Sequence, residues 1–133
     1  MVGDGAAGGR EDEYPHRELT RAIIAAAFEV HNQLGGGFLE KVYEKALVLE
    51  LEARGLAVRA QAPIDVRYKD AIVGEYFADL FINEAVICEI KAGQAISPAH
   101  QAQLLNYLKA TGMKLGLLIN FSPSRVDVKR MVY

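Results

Sequence analysis

Asp79, Glu89 and Lys91 are the residues of this chain whose types and spacing could do chemistry. They fall in two apolar runs separated by Asn83, Glu84 and Ala85, which reads as a β-hairpin. Strand side chains alternate faces, so Val86, Cys88 and Ile90 share one side of the second run, and Ile87, Glu89 and Lys91 the other. Charged groups are seldom buried on a sheet without a partner or a metal. An acid and a lysine two apart, with a second acid on the neighbouring strand, therefore mark a candidate site. The plainer alternative is a solvated strand end with Asp79 as a cross-strand partner. Parity bears on the choice. A three-residue loop places Asp79 opposite Glu89, a two-residue loop sends them to opposite faces, and a bulge or bend near Asp79 would also serve.

The elements that must position these residues can be read from periodicity. Residues 19–34 carry Leu19, Ile23, Ile24, Ala27, Phe28, His31 and Leu34 at helical spacing, with Thr20 as a cap and Gly35, Gly36 and Gly37 as the stop. His31 on that stripe reads first as a packed or hydrogen-bonded histidine. A second helix over residues 38–54 has Leu39, Val42, Tyr43, Ala46, Leu49 and Ala53 as its apolar stripe, ending at Gly55. Glu40 suits a helix N-terminus on dipole grounds and lies within one turn of Tyr43 and Glu44; Tyr43 is an adequate core aromatic.

Short strands are expected at residues 57–59 and 64–68, with Pro63 at a strand start, then a turn at Lys69 and Asp70 into residues 72–82. Ser97 followed by Pro98 is a strong helix start, and Gly112 ends that helix. On it Gln103 and Tyr107 share a face, His100 sits one turn earlier, and Leu104, Leu105 and Leu108 form the buried stripe; Gln103 and Tyr107 taken alone read as an amphipathic border. Residues 115–121 are a continuous apolar run, as in a strand covered on both faces, and the tail from Arg125 reads as an edge strand. This order implies an α/β (α+β) layer fold.

At 133 residues the chain suits a single domain over 17–133, preceded by a disordered, Gly- and Ala-rich leader over 1–16. The apolar fraction of 51% and charged fraction of 24% are those of an ordinary globular protein. A net charge of -2 gives no bulk attraction to polyanions, so any nucleic-acid contact must come from a local patch. Lys109 with Lys114, and Arg59 with Arg67, are candidates, and the best is the tail cluster Arg125, Lys129 and Arg130. The lone Cys88 excludes an internal disulfide and suits a reducing compartment. Residues 1–15 lack the apolar core that a signal peptide needs, and no apolar run approaches about 18 residues. A cytoplasmic protein, not a membrane one, is the expectation. Zinc-spaced Cys and His sets are absent.

Several short motifs occur in a particular order. Gly37-Phe38-Leu39-Glu40-Lys41-Val42-Tyr43 is followed by Ala78-Asp79-Leu80, Glu89-Ile90-Lys91, Gln103 to Tyr107, and Leu115-Gly116-Leu117-Leu118-Ile119-Asn120-Phe121. Over residues 19–133 this closely resembles the GxxExxY protein family, a branch of the PD-(D/E)xK nuclease-like superfamily. The resemblance implies a restriction-endonuclease-like core, a mixed, four-stranded central β-sheet flanked by helices. It implies a site in which Asp79 and Glu89 bind a divalent cation, Mg²⁺ or Mn²⁺, with Lys91 beside them and Glu40 as an extra acid. Gln103 and Tyr107 match a Gln-x-x-x-Tyr pair that borders such sites, and Tyr43 and His31 join that border. Ala78 stands where the superfamily motif has proline.

The residue types suit the ion. Mg²⁺ is hard and takes oxygen ligands, here Asp79, Glu89 and the carbonyl of Ile90. The expected function is metal-dependent hydrolysis of DNA or RNA; the alternative is a catalytically inactive nuclease-like domain that binds nucleic acid or a protein partner. Small size and acidity point to a homodimer.

Overall fold

The apolar run becomes β4 (Leu115–Phe121), and every one of its side chains is buried. A strand covered on both faces requires that, and the computed structural model, which describes residues 16–133, shows what covers it. Before it come α1 (Arg17–Leu34), α2 (Glu40–Ala53), β1 (Val58–Tyr68), β2 (Ala71–Ile82), β3 (Val86–Lys91) and α3 (Pro98–Thr111); β5 (Val126–Val132) follows. The five strands lie in chain order across one sheet. Only β3 and β4 run parallel, joined by α3 as the crossover. The sheet is mixed and flanked by helices, with five strands instead of the four implied by resemblance. The expected leader lies, apart from His16, outside the described residues.

Two cores result. On one face Ile23, Ala27, Leu47 and Leu51 of α1 and α2 pack with Leu80, Cys88, Ile90, Leu117 and Ile119. On the other, Leu104, Tyr107 and Leu108 of α3 pack with Ile64, Ala78, Phe81, Ile87 and Leu118. Cys88 is a small core residue whose thiol is pushed up by burial, then by the charges of Glu89 and Asp79.

Three local expectations change. Thr20 is not the first cap: its N–H already bonds the His16 carbonyl at 2.8 Å, so the helix is under way there. The two short early strands are one, because Pro63 sits on an edge strand where a missing N–H is tolerated. The stripe of α2 is rotated from that read in sequence. It buries Tyr43, Glu44, Leu47 and Leu51 and leaves Leu39 and Leu49 exposed. Ser97 does cap α3, accepting from the His100 N–H while the His100 ring accepts from the Ser97 N–H.

The glycine turn between α1 and α2 meets the loop after β4. A Cβ built on Gly36 would lie 2.3 Å from the Pro123 carbonyl oxygen, a backbone atom that cannot swing aside. Gly36→Ala should therefore force the two loops apart and destabilise the protein by about 1–3 kcal/mol in a urea unfolding curve. An unchanged midpoint would contradict this contact.

Candidate functional site

The loop from β2 to β3 consists of Asn83, Glu84 and Ala85, the first two left-handed at φ 53 and 51. Its register pairs Ile82 with Val86, Phe81 with Ile87 and Leu80 with Cys88. One step further, Asp79 stands opposite Glu89, as the three-residue reading requires. There the backbone ladder stops and the side chains take its place. The Asp79 N–H donates to Glu89 Oε2 at 2.8 Å, and the Ile90 N–H donates to Asp79 Oδ2 at 2.7 Å. These crossed bonds hold open a fork between the strands. Each carboxylate accepts one backbone N–H of the opposite strand, and the second oxygen of Asp79 meets the Gln61 amide at 3.4 Å. Because a strand residue points its N–H and C=O toward the same edge, the Ile90 carbonyl faces the fork as well.

Strand alternation breaks at Asp79. Leu80 and Ile82 face the α1–α2 core, yet Ala78 lies in the α3 core, and on β1 the partly buried Val58 and the buried Ala62 divide in the same way. The cause sits across the ladder, where Gln61 adopts φ 53, a left-handed conformation uncommon for glutamine. Its amide reaches Glu44 Oε2 at 3.0 Å and Asp79 Oδ1 at 3.4 Å. Glu44 is buried and also accepts from Lys41 Nζ at 3.1 Å. Glu44 and Gln61 thus tie α2 and β1 to Asp79. Sequence reading missed both; the available signal was an acid one turn beyond Glu40.

Burial and proximity raise both carboxyls of the Asp79–Glu89 pair above their ordinary values. The Glu89 carboxyl is pushed from 4.5 up to about 8, chiefly by burial and then by the Asp79 charge. Asp79 is also raised by burial, against the opposing Ile90 hydrogen bond, and the Glu44 charge adds to the rise. Lys91 lowers both. The Tyr107 hydroxyl, reached from α3, is raised by its own burial and then by Glu89 and Asp79.

The remaining predicted residues divide. Lys91 ends β3 beside Asn120, whose amide brackets Gly93 with two 3.0 Å bonds and so pins the turn after the lysine. Tyr107 borders the acids and Gln103 is exposed one turn away. Glu40 is exposed on the first turn of α2, and Glu44, one turn on, is the buried α2 acid that meets Asp79 through the Gln61 amide. Tyr43 and His31 are structural here. Tyr43 stacks on Phe121 at 4.6 Å and donates to the Gly35 carbonyl, while His31 Nε2 bonds the Ser122 carbonyl at 2.9 Å. The tail cations lie on or beside β5, the edge strand furthest from β1, and Arg125 is paired with Asp127 at 2.8 Å. The structure does not bring Arg125, Lys129 and Arg130 to the fork.

Among the described residues no three His, Cys, Asp or Glu side chains form a ready metal cluster. The pair Asp79 and Glu89 with a carbonyl still suits a hard divalent ion, which commonly uses one or two carboxylates and keeps waters. Among the described residues no helix is long and apolar enough to cross a membrane.

A mixed sheet between helices, with paired acids at a strand fork, is the architecture of restriction-endonuclease-like nuclease domains. The model of the PD-(D/E)XK nuclease superfamily matches residues 17–131, and the chain belongs to that superfamily. Its members generally use divalent metals. The crystal structure of SSO0001 shares the fold at a TM-score of 0.52 and 16% identity, over 93% of this chain and 59% of that one. This chain therefore spans under two thirds of that protein's length. No curated protein matches it.

Proposed function

We propose that this protein is a metal-dependent nuclease hydrolysing phosphodiester bonds of DNA or RNA at Asp79 and Glu89. The observation that carries the reading is the crossed pair of hydrogen bonds, which fixes two buried or half-buried carboxylates side by side at one fork. Buried like charges held together favour a cation between them. Asp79, Glu89 and the Ile90 carbonyl would hold Mg²⁺ or Mn²⁺. When bound, the ion lowers the pKa of a water and stabilises charge on the scissile phosphate.

The chain's own residues do the rest. Lys91 offsets negative charge developing on the phosphate or orients the attacking water. Gln61 and Glu44 position Asp79. Asn120 holds the loop behind Lys91.

The test is thermal melting against metal, followed by cleavage. Millimolar Mn²⁺ should raise the melting temperature at pH 8, and the same protein should cut a labelled strand. Stabilisation without cleavage would instead support a silent nuclease-like domain that binds nucleic acid or protein. No stabilisation and no cleavage would refute the metal site.

A further inference from the structure

Beyond Tyr107 the sheet and α3 enclose a groove of about 970 Å³, walled by the β1–β2 hairpin on one side and the helix on the other. Arg67 and Lys109 line it, with Gln103, Tyr76 and Tyr107 between them and a single acid, Asp65. Among the described residues neither cation has an ion-pair partner, unlike Arg54, Arg59 and Arg125. Tyr76 lines the groove, is 49% exposed as a residue, and sits with its ring 5.8 Å from the Tyr107 ring at a 49° tilt.

We propose that this groove binds single-stranded nucleic acid leading to the acid fork, with a base stacked on Tyr76 and the backbone held by Arg67 and Lys109. The proposal names the substrate class for the nuclease reading and rests on it. Continuity with the fork comes through Tyr107, which lines the groove and shares one buried cluster with Ala78, the residue preceding Asp79. Positioned cations around a stacking ring are how non-specific single-strand sites are built, because every base offers a π-face. A duplex has its bases stacked on one another and cannot present one to Tyr76. An acidic protein also needs its few free cations concentrated, and here two flank one aromatic.

The test is fluorescence anisotropy of the full chain in EDTA, where binding is read without cleavage. The probes are a twelve-nucleotide single-stranded DNA, the matching RNA and the DNA duplex. The wild type should prefer the single strands, and comparing DNA with RNA reads which is held better. Tyr76→Ala should weaken single-strand binding about tenfold and leave duplex binding unchanged. Arg67→Ser with Lys109→Ser should shallow the salt slope by about 1.4. All three side chains are exposed, so unchanged melting curves will show that the variants fold. Equal affinity of wild type and Tyr76→Ala, or an equal loss on duplex, overturns the groove assignment. If metal-supported cleavage is intact but groove variants bind normally, the groove falls and the nuclease stands. If single strands bind through Tyr76 but are never cut, the nuclease reading falls and the groove stands.

Discussion

Glu89→Gln should abolish metal-supported cleavage and, at alkaline pH, make the metal-free protein more stable. Both effects follow from a carboxyl that is buried, sits beside Asp79 and is pushed up to about 8. The folded chain holds this proton more tightly than the unfolded one, whose carboxyl titrates near 4.5. Stability from the group is therefore complete below about pH 4.5 and is lost as pH rises through about 8. The gap corresponds to at most about 5 kcal/mol. Glutamine keeps an oxygen to accept the Asp79 N–H and removes the charge, so this loss disappears. At pH 8.5 the variant should melt roughly 5–10 °C above the wild type without metal, and the advantage should vanish at pH 4. The ion would lose one of two carboxylates, and cleavage should fall by at least about 100-fold. Melting curves at the two pH values, with a Mn²⁺ cleavage assay, read both outcomes. A variant that cuts normally, or gains nothing at pH 8.5, would sink the assignment.

Tyr43→Ala should be the most damaging core substitution near the site. The ring is fully buried, stacked on Phe121 at 4.6 Å and met edge-on by Phe38 at 6.2 Å. Its hydroxyl donates to the Gly35 carbonyl at 2.7 Å and accepts the Phe38 N–H at 3.2 Å. Truncation removes the stack, opens a cavity and strands two backbone groups, at a cost of about 3–5 kcal/mol. That is a large share of the roughly 5–15 kcal/mol that holds a domain together. Tyr43→Phe keeps the stack and should lose only about 1–2 kcal/mol. Because Glu44 follows on the same turn, the alanine variant should also bind Mn²⁺ more weakly than the phenylalanine one. Urea midpoints for the pair decide the matter, and similar losses in both would mean that the stack contributes little.

The sequence by itself determined the β-hairpin at the centre, the burial of residues 115–121 and the cap at Ser97, since each depends on neighbours only a few residues away. Period-2 alternation put Glu89 and Lys91 on one face, but the sequence allowed loops of two or three residues, and only the structure fixed the one that sets Asp79 opposite Glu89. Only the tertiary structure decided which α2 acid joins them. A helix read from sequence has a stripe but no fixed rotation; Glu40 was implied by the family resemblance, and the stripe through Leu39, Val42 and Leu49 did not single out Glu44. Packing against the sheet turned Leu47 and Leu51 inward and carried Glu44 to Gln61. Gln61 was invisible for a related reason: its left-handed backbone is stabilised by partners on α2 and β2, not by its own sequence neighbourhood. Charge placement was equally non-local. Arg125, Lys129 and Arg130 are close in the chain yet end at the far edge of the sheet, whereas Arg67 and Lys109, distant in sequence, meet across one groove because α3 packs against β1.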